Sequence, residues 1–86
     1  MKVNIPSPLR SYTGNRGQVE AEGKTLGEVL EDLERAYPGM RFRMIDEQGG
    51  IRPHIRFFVN QELAEEMGVA VNADCEIHII CALSGG

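Results

Sequence analysis

A chain of 86 residues can bury roughly 60 to 65% of the surface its unfolded form exposes, which supports one modest core and argues against an enclosed active site. Its 42% hydrophobic content is that of a globular protein, and no apolar run approaches the roughly 20 residues that span a bilayer, so no membrane partner is expected. A net charge of −4 speaks against nucleic acid, which selects for a basic stripe, and predicts a basic surface on the chain's partner.

In chain order, Met1, Val3 and Ile5 alternate with Lys2 and Asn4, the two-residue period of a half-buried strand, and Pro6 and Pro8 end it. Nothing in this opening resembles the apolar core of a secretory signal, so a cytoplasmic location is expected. Ser7 to Gly17 reads as a turn in which Leu9 and Tyr12 tuck back onto the core. Gln18 to Glu22 alternates again with Val19 and Ala21 inward, which predicts an antiparallel hairpin with the first strand.

Thr25 followed three residues later by Glu28 forms a capping box, so a helix starts here and runs to Pro38-Gly39. Leu26, Val29, Leu30, Leu33 and Tyr37 fall on its buried stripe, and Glu28, Glu31, Asp32, Glu34 and Arg35 face solvent. Met40 to His54, with Arg41, Arg43 and Arg52 around Gly49-Gly50, has no regular period and is expected to be a long loop.

Ile55 to Val59 forms the next strand, Asn60-Gln61-Glu62 turns the chain, and Leu63 to Val71 is an irregular connection with a short helical turn. Asn72-Ala73-Asp74 leads into a last strand, Glu76 to Ala82, rich in β-branched residues. If Ile55, Phe57, Val59, Ile77 and Ile79 face the helix, parity turns Phe58, His78 and Ile80 outward and makes Phe58 and Ile80 a docking patch, unless Phe58 lies under the long loop. The expected fold class is α+β: one helix on one face of a mixed sheet of four to five strands, built by a single domain over residues 1–86.

Cys75 and Cys81 stand six residues apart on one strand, so their Cα atoms are about 20 Å from each other. A disulfide tolerates about 7 Å, so they do not bridge. With only His54 and His78 as further soft ligands and no Cys-x-x-Cys, no metal site is expected. Cys81 shares the parity of Ile77 and Ile79 and is expected to be a small core filler. After the last strand come Leu83-Ser84-Gly85-Gly86, read as a flexible tail over 83–86 whose two glycines can thread a narrow channel, ordinary fraying being the alternative.

These segments together resemble the ubiquitin-like β-grasp sulfur carriers of the MoaD/ThiS family. The resemblance lies in the capped helix Thr25-Leu26-Gly27-Glu28-Val29-Leu30, in Ile55-Arg56-Phe57-Phe58-Val59-Asn60, in Asp74-Cys75-Glu76-Ile77-His78-Ile79-Ile80 and in Ala82-Leu83-Ser84-Gly85-Gly86. The long segment before Ile55 is more like the carriers of amino-acid biosynthesis than the compact carriers of the thiazole pathway. Departures are the missing glycine after Asn60, Ala73-Asp74-Cys75 in place of Asp-Gly-Asp, and Cys81 where proline is common.

The resemblance implies a carrier that is a substrate for other enzymes and binds no cofactor itself. An E1-like adenylyltransferase would activate the Gly86 carboxylate with ATP, sulfur would convert it to a covalent thiocarboxylate, and a sulfur-accepting synthase in a cysteine- or homocysteine-type pathway would consume it. Leu83, Ser84, Gly85, Phe58 and Ile80 would meet the partner, and a terminus at Gly86 would be competent without a processing protease. The same tail also suits a ubiquitin-like modifier joined to lysines, the small subunit of a molybdopterin synthase, or an interaction module with an incidental Gly-Gly. The chain itself has no nucleophile–base pair and no phosphate-binding loop, since no Gly-Lys-Ser/Thr follows Gly49-Gly50.

Overall fold

The computed structural model describes residues 1–82. Five strands form one mixed sheet: β1 (Lys2–Asn4), β2 (Gln18–Glu20), β3 (Ile55–Val59), β4 (Glu62–Ala64) and β5 (Glu76–Cys81), in the order β2-β1-β5-β3-β4. β1 runs antiparallel to β2 and parallel to β5, while β3 is antiparallel to both β5 and β4. The last strand of the chain thus occupies the middle of the sheet.

Helix α1 (Leu26–Ala36) covers one face. Leu26, Val29, Leu30 and Leu33 join Val3, Val19, Ile55, Phe57, Ile77 and Ile79 in a single core, all nearly or wholly excluded from solvent. Burying each such side chain contributes about 1.5 to 3 kcal/mol, which is why the alternation of the strands and the stripe of the helix must agree in phase. Pro6 cannot extend β1, and the backbone winds instead into a 3-10 helix, Ser7–Thr13, that seats Leu9 in the core with Tyr12 packed at its edge. Gly14 and Asn15, both at positive φ, close it.

The start of α1 is held from two sides. Thr25 Oγ1 accepts from Glu28 N at 3.2 Å, and the Glu28 carboxylate accepts from Lys24 N at 2.9 Å, one residue earlier than the usual capping box. Leu26 N and Gly27 N donate to the carbonyls of Val69 and Met67, each at 2.9 Å. The connection after β4 is therefore a strap that satisfies helix-start amides no helical carbonyl can reach.

Two expectations need correcting. Leu63 to Val71 is not wholly irregular: Glu62–Ala64 is the edge strand β4, so the turn after β3 is only Asn60-Gln61, with Asn60 at φ +59 supplying the left-handed residue that glycine often supplies. Met40 to His54 is not one long loop: it begins with a second helix, α2 (Met40–Met44), whose Met40 and Met44 are fully buried. A tight turn follows, closed by an Ile45–Ile51 bridge, in which Asp46 Oδ1 accepts from Gln48 N and Gly50 N.

The acidic face of α1 is likewise less free than its pattern predicts. The Glu34 carboxylate accepts from Gly39 N at 2.8 Å and Arg41 N at 3.0 Å, capping α2, and Asp32 accepts from Glu22 N at 3.0 Å.

Candidate functional site

β5 positions the site. Its neighbours hold it along its whole length, Lys2 to Asn4 on one side and Ile55 to Val59 on the other. The pairing persists one residue past the strand, where Ala82 N donates to the His54 carbonyl at 2.7 Å. The root of Leu83-Ser84-Gly85-Gly86 is thus clamped, whereas Leu83, Ser84, Gly85 and Gly86, the core of the expected site, lie outside the described residues.

The sheet face away from α1 carries Phe58 and Ile80. Ile80 is 44% exposed and lies opposite Arg56, and Phe58 is half-buried between His78 on β5 and Leu63 on β4. The expected outward parity holds. Leu63, 47% exposed, extends the apolar strip to the sheet edge. It went unnoticed in the sequence because its strand did.

Toward the other edge the same row turns polar. Gln18 Nε2 donates to Asn4 Oδ1 at 3.0 Å, and the Asn4 amide donates to Glu76 Oε2 at 2.7 Å and faces His78 Nδ1 at 3.2 Å. The other ring nitrogen of His78, Nε2, lies 3.9 Å from Glu76 Oε2. His78 is a member of a hydrogen-bonded sheet surface, and among the described residues no hydrogen bond joins it to a hydroxyl or thiol.

Two hollows flank the tail root. One is lined by Pro6, Ser7, Pro8 and Arg10 with Ile80 and Cys81, the other by Phe42, Arg43, Arg52 and His54. In the second, the Arg52 guanidinium lies 4.6 Å from the centre of the Phe42 ring while its Nε donates to the Phe42 carbonyl at 2.7 Å. Arg43 Nε donates to Tyr12 Oη at 2.8 Å, which raises the arginine's already high pKa.

Both Cys75 and Cys81 are free thiols, and Cys81 packs against the core as its parity predicts. Among the described residues, no three His, Cys, Asp or Glu side chains are grouped to hold a metal ion, and no helix is long and apolar enough to cross a membrane.

Comparison with known proteins agrees with this architecture. The sulfur carrier protein CysO of Mycobacterium tuberculosis is 34% identical over 89 residues, covering 98% of this chain and 96% of its own. A chain in the crystal structure of the Amycolatopsis orientalis BexX/CysO complex superposes with a TM-score of 0.91 at 31% identity, covering 99% of this chain and 98% of that one. Small archaeal modifier protein 1 of Haloferax volcanii gives a TM-score of 0.76 at 26% identity, over 95% of both chains. The five-stranded mixed sheet with its covering helix is therefore an α+β, ubiquitin-like β-grasp fold. Residues 3–86 match the ThiS family, and with the last strand at the centre of the sheet and Gly-Gly following it in the sequence, the chain belongs to that family.

Proposed function

We propose that this chain is a sulfur carrier, a protein substrate that holds sulfur as a thiocarboxylate on Gly86. The observation that carries the reading is the clamped end of β5, continued by Leu83-Ser84-Gly85-Gly86 in a chain that shares its family and a third of its residues with a sulfur carrier protein. Residues 1–86 act as one domain, and 83–86 serve as the segment that enters a partner.

A carboxylate is a poor electrophile, so activation comes first. The Gly86 carboxylate attacks the α-phosphorus of ATP in an E1-like adenylyltransferase, and pyrophosphate leaves. Hydrosulfide then attacks the acyl carbon, AMP departs, and the thiocarboxylate remains. A persulfide donor requires in addition a thiol to cleave the sulfur–sulfur bond. A sulfur-accepting synthase in a cysteine-type pathway consumes the product. Gly85 gives the tail its narrow profile, Ser84 and Leu83 line the entry, and Phe58 and Ile80 meet the partner's surface. The relative from Amycolatopsis orientalis was crystallised in complex with BexX, which supports a carrier that works by docking.

Incubation with the adenylyltransferase, ATP and sulfide should raise the intact mass by the difference between one sulfur and one oxygen atom. Deleting Gly86 should abolish the gain and leave the melting temperature unchanged. The likeness to small archaeal modifier protein 1 favours a second reading, in which a lysine of another protein attacks activated Gly86. Isopeptide-linked products with no sulfur gain would decide for it.

A further inference from the structure

The seven arginines at 10, 16, 35, 41, 43, 52 and 56 are unequally neutralised. Of these arginines, Arg35 alone forms an ion pair among the described residues, with Asp32 at 3.0 Å. Arg10, Arg43 and Arg52 instead line the two hollows beside the tail root, and no carboxylate lines either hollow. The nearby Asp46 carboxylate is occupied by the Gly50 and Gln48 amides, which with the charge of Arg52 hold it below the usual carboxylate range. A protein of net charge −4 thus presents, where its chain leaves the sheet, a surface of arginines that form no ion pair among the described residues, although Asp46 and Glu65 lie on the far side of Arg52. At the centre of that surface Phe42 is 54% exposed, more than any other large hydrophobic residue among those described, and Arg52 fixes its ring.

We propose that Phe42, Arg43 and Arg52 form a docking surface for an acidic rim around the tail-receiving cleft of the adenylating enzyme. The inference rests on the reading that Gly86 is activated there. From Ala82 the four remaining residues span at most about 13 to 14 Å when extended, so a cleft acting on Gly86 must bring its mouth that close to the tail root. Both hollows then fall within the contact. A neutral rim would strip water from the guanidinium groups and return nothing, whereas carboxylates restore their hydrogen bonds and steer the approach. An exposed aromatic ring beside arginine is also the composition that dominates binding energy at protein interfaces. The nucleotide fits the site less well, because the arginines stand at the base of the tail while ATP is needed at its tip.

The test is ATP–pyrophosphate exchange by the adenylyltransferase of the same organism, with Arg43→Gln, Arg43→Glu, Phe42→Ser and the double variant Arg43→Glu/Arg52→Glu. Reversal at Arg43 should raise KM for the carrier about tenfold or more, with the glutamine variant intermediate and kcat and KM for ATP within about twofold of wild type. Added salt should raise the wild-type KM and leave that of the double variant nearly flat. Among the described residues the Arg43 side chain holds only the Tyr12 hydroxyl, so those variants decide the matter even if Arg52→Glu disturbs the turn it braces. An unchanged carrier KM overturns the docking surface, as does a rise confined to KM for ATP, which would place the arginines on phosphate. Wild-type self-association abolished by Arg43→Glu also overturns it, by assigning the surface to a second copy. A wild-type chain that supports no exchange and gains no sulfur overturns the carrier reading itself.

Discussion

Gly23 stands where a single methyl group has no room. A Cβ there would lie 2.7 Å from Val29 N and 2.9 Å from both the Glu28 carbonyl carbon and its Cβ, all of them in the first turn of α1. The neighbour that would have to give is mostly backbone. Gly23→Ala should therefore destabilise the protein by about 1 to 3 kcal/mol, read from the urea midpoint at unchanged slope. The carboxylates that tie segments together make a second residue-scale case. Backbone amides of Glu22, Gly39 and Gly50 are the first cause holding Asp32, Glu34 and Asp46, respectively, below their ordinary range. A depressed folded-state pKa means that the stabilisation is complete above the ordinary carboxylate range, about 4 to 4.5, and is lost as pH falls through the lower folded values. Melting temperature should thus fall on acidification below about pH 4.5. Glu34→Gln should lower it at neutral pH and weaken its acid dependence, since the cap on α2 then carries no titrating charge.

At the scale of elements, β3 and β5 offer an internal control on which face does what. Phe57 is wholly buried beneath α1, whereas its neighbour Phe58 is half-buried and Ile80 exposed on the opposite face. Phe57→Ala should cost about 3 to 5 kcal/mol, as other buried phenylalanines do. Phe58→Ala should cost roughly 1 to 2 kcal/mol, and Ile80→Ala under about 0.5, since less surface returns to water. Both outward variants should slow adenylation while still folded, and loss of fold before loss of activation would reverse the assignment of the faces. The period of the sequence shows these faces because β3 and β5 are long enough to repeat. It does not show β4, three residues with only Ala64 inward, nor α2, a single turn capped by Glu34 from another helix. Elements that short owe their conformation to tertiary contacts that no local pattern encodes. Phe42 was illegible for the same reason: its significance depends on Arg52, ten residues further on across a turn. Summed charge shows no such distribution either, for it averages acidic residues on α1 and after β4 with the arginines around the tail root.

For the whole molecule, the sheet order makes β5 indispensable. It pairs with β1 through Lys2 to Asn4 and with β3 through Ile55 to Val59, and without it the sheet separates into two two-stranded ribbons, each too small to be stable in water. A chain stopped at Asp74 should lack the cooperative melting transition of the full chain by circular dichroism. A chain stopped at Ala82 should melt as the full protein does.

The central place of β5 also orders events in biosynthesis. The strand that unites the two halves of the sheet is made long after β1, which must wait more than seventy residues for its parallel partner. Folding is thus a late event, slowed by the loop that must close before the pairing is rewarded. Translation products that stop before Glu76 lack β5 and should remain open to proteases, whereas a product that stops at Ala82 keeps the whole strand and should fold. A chain that has folded has therefore been made at least as far as β5.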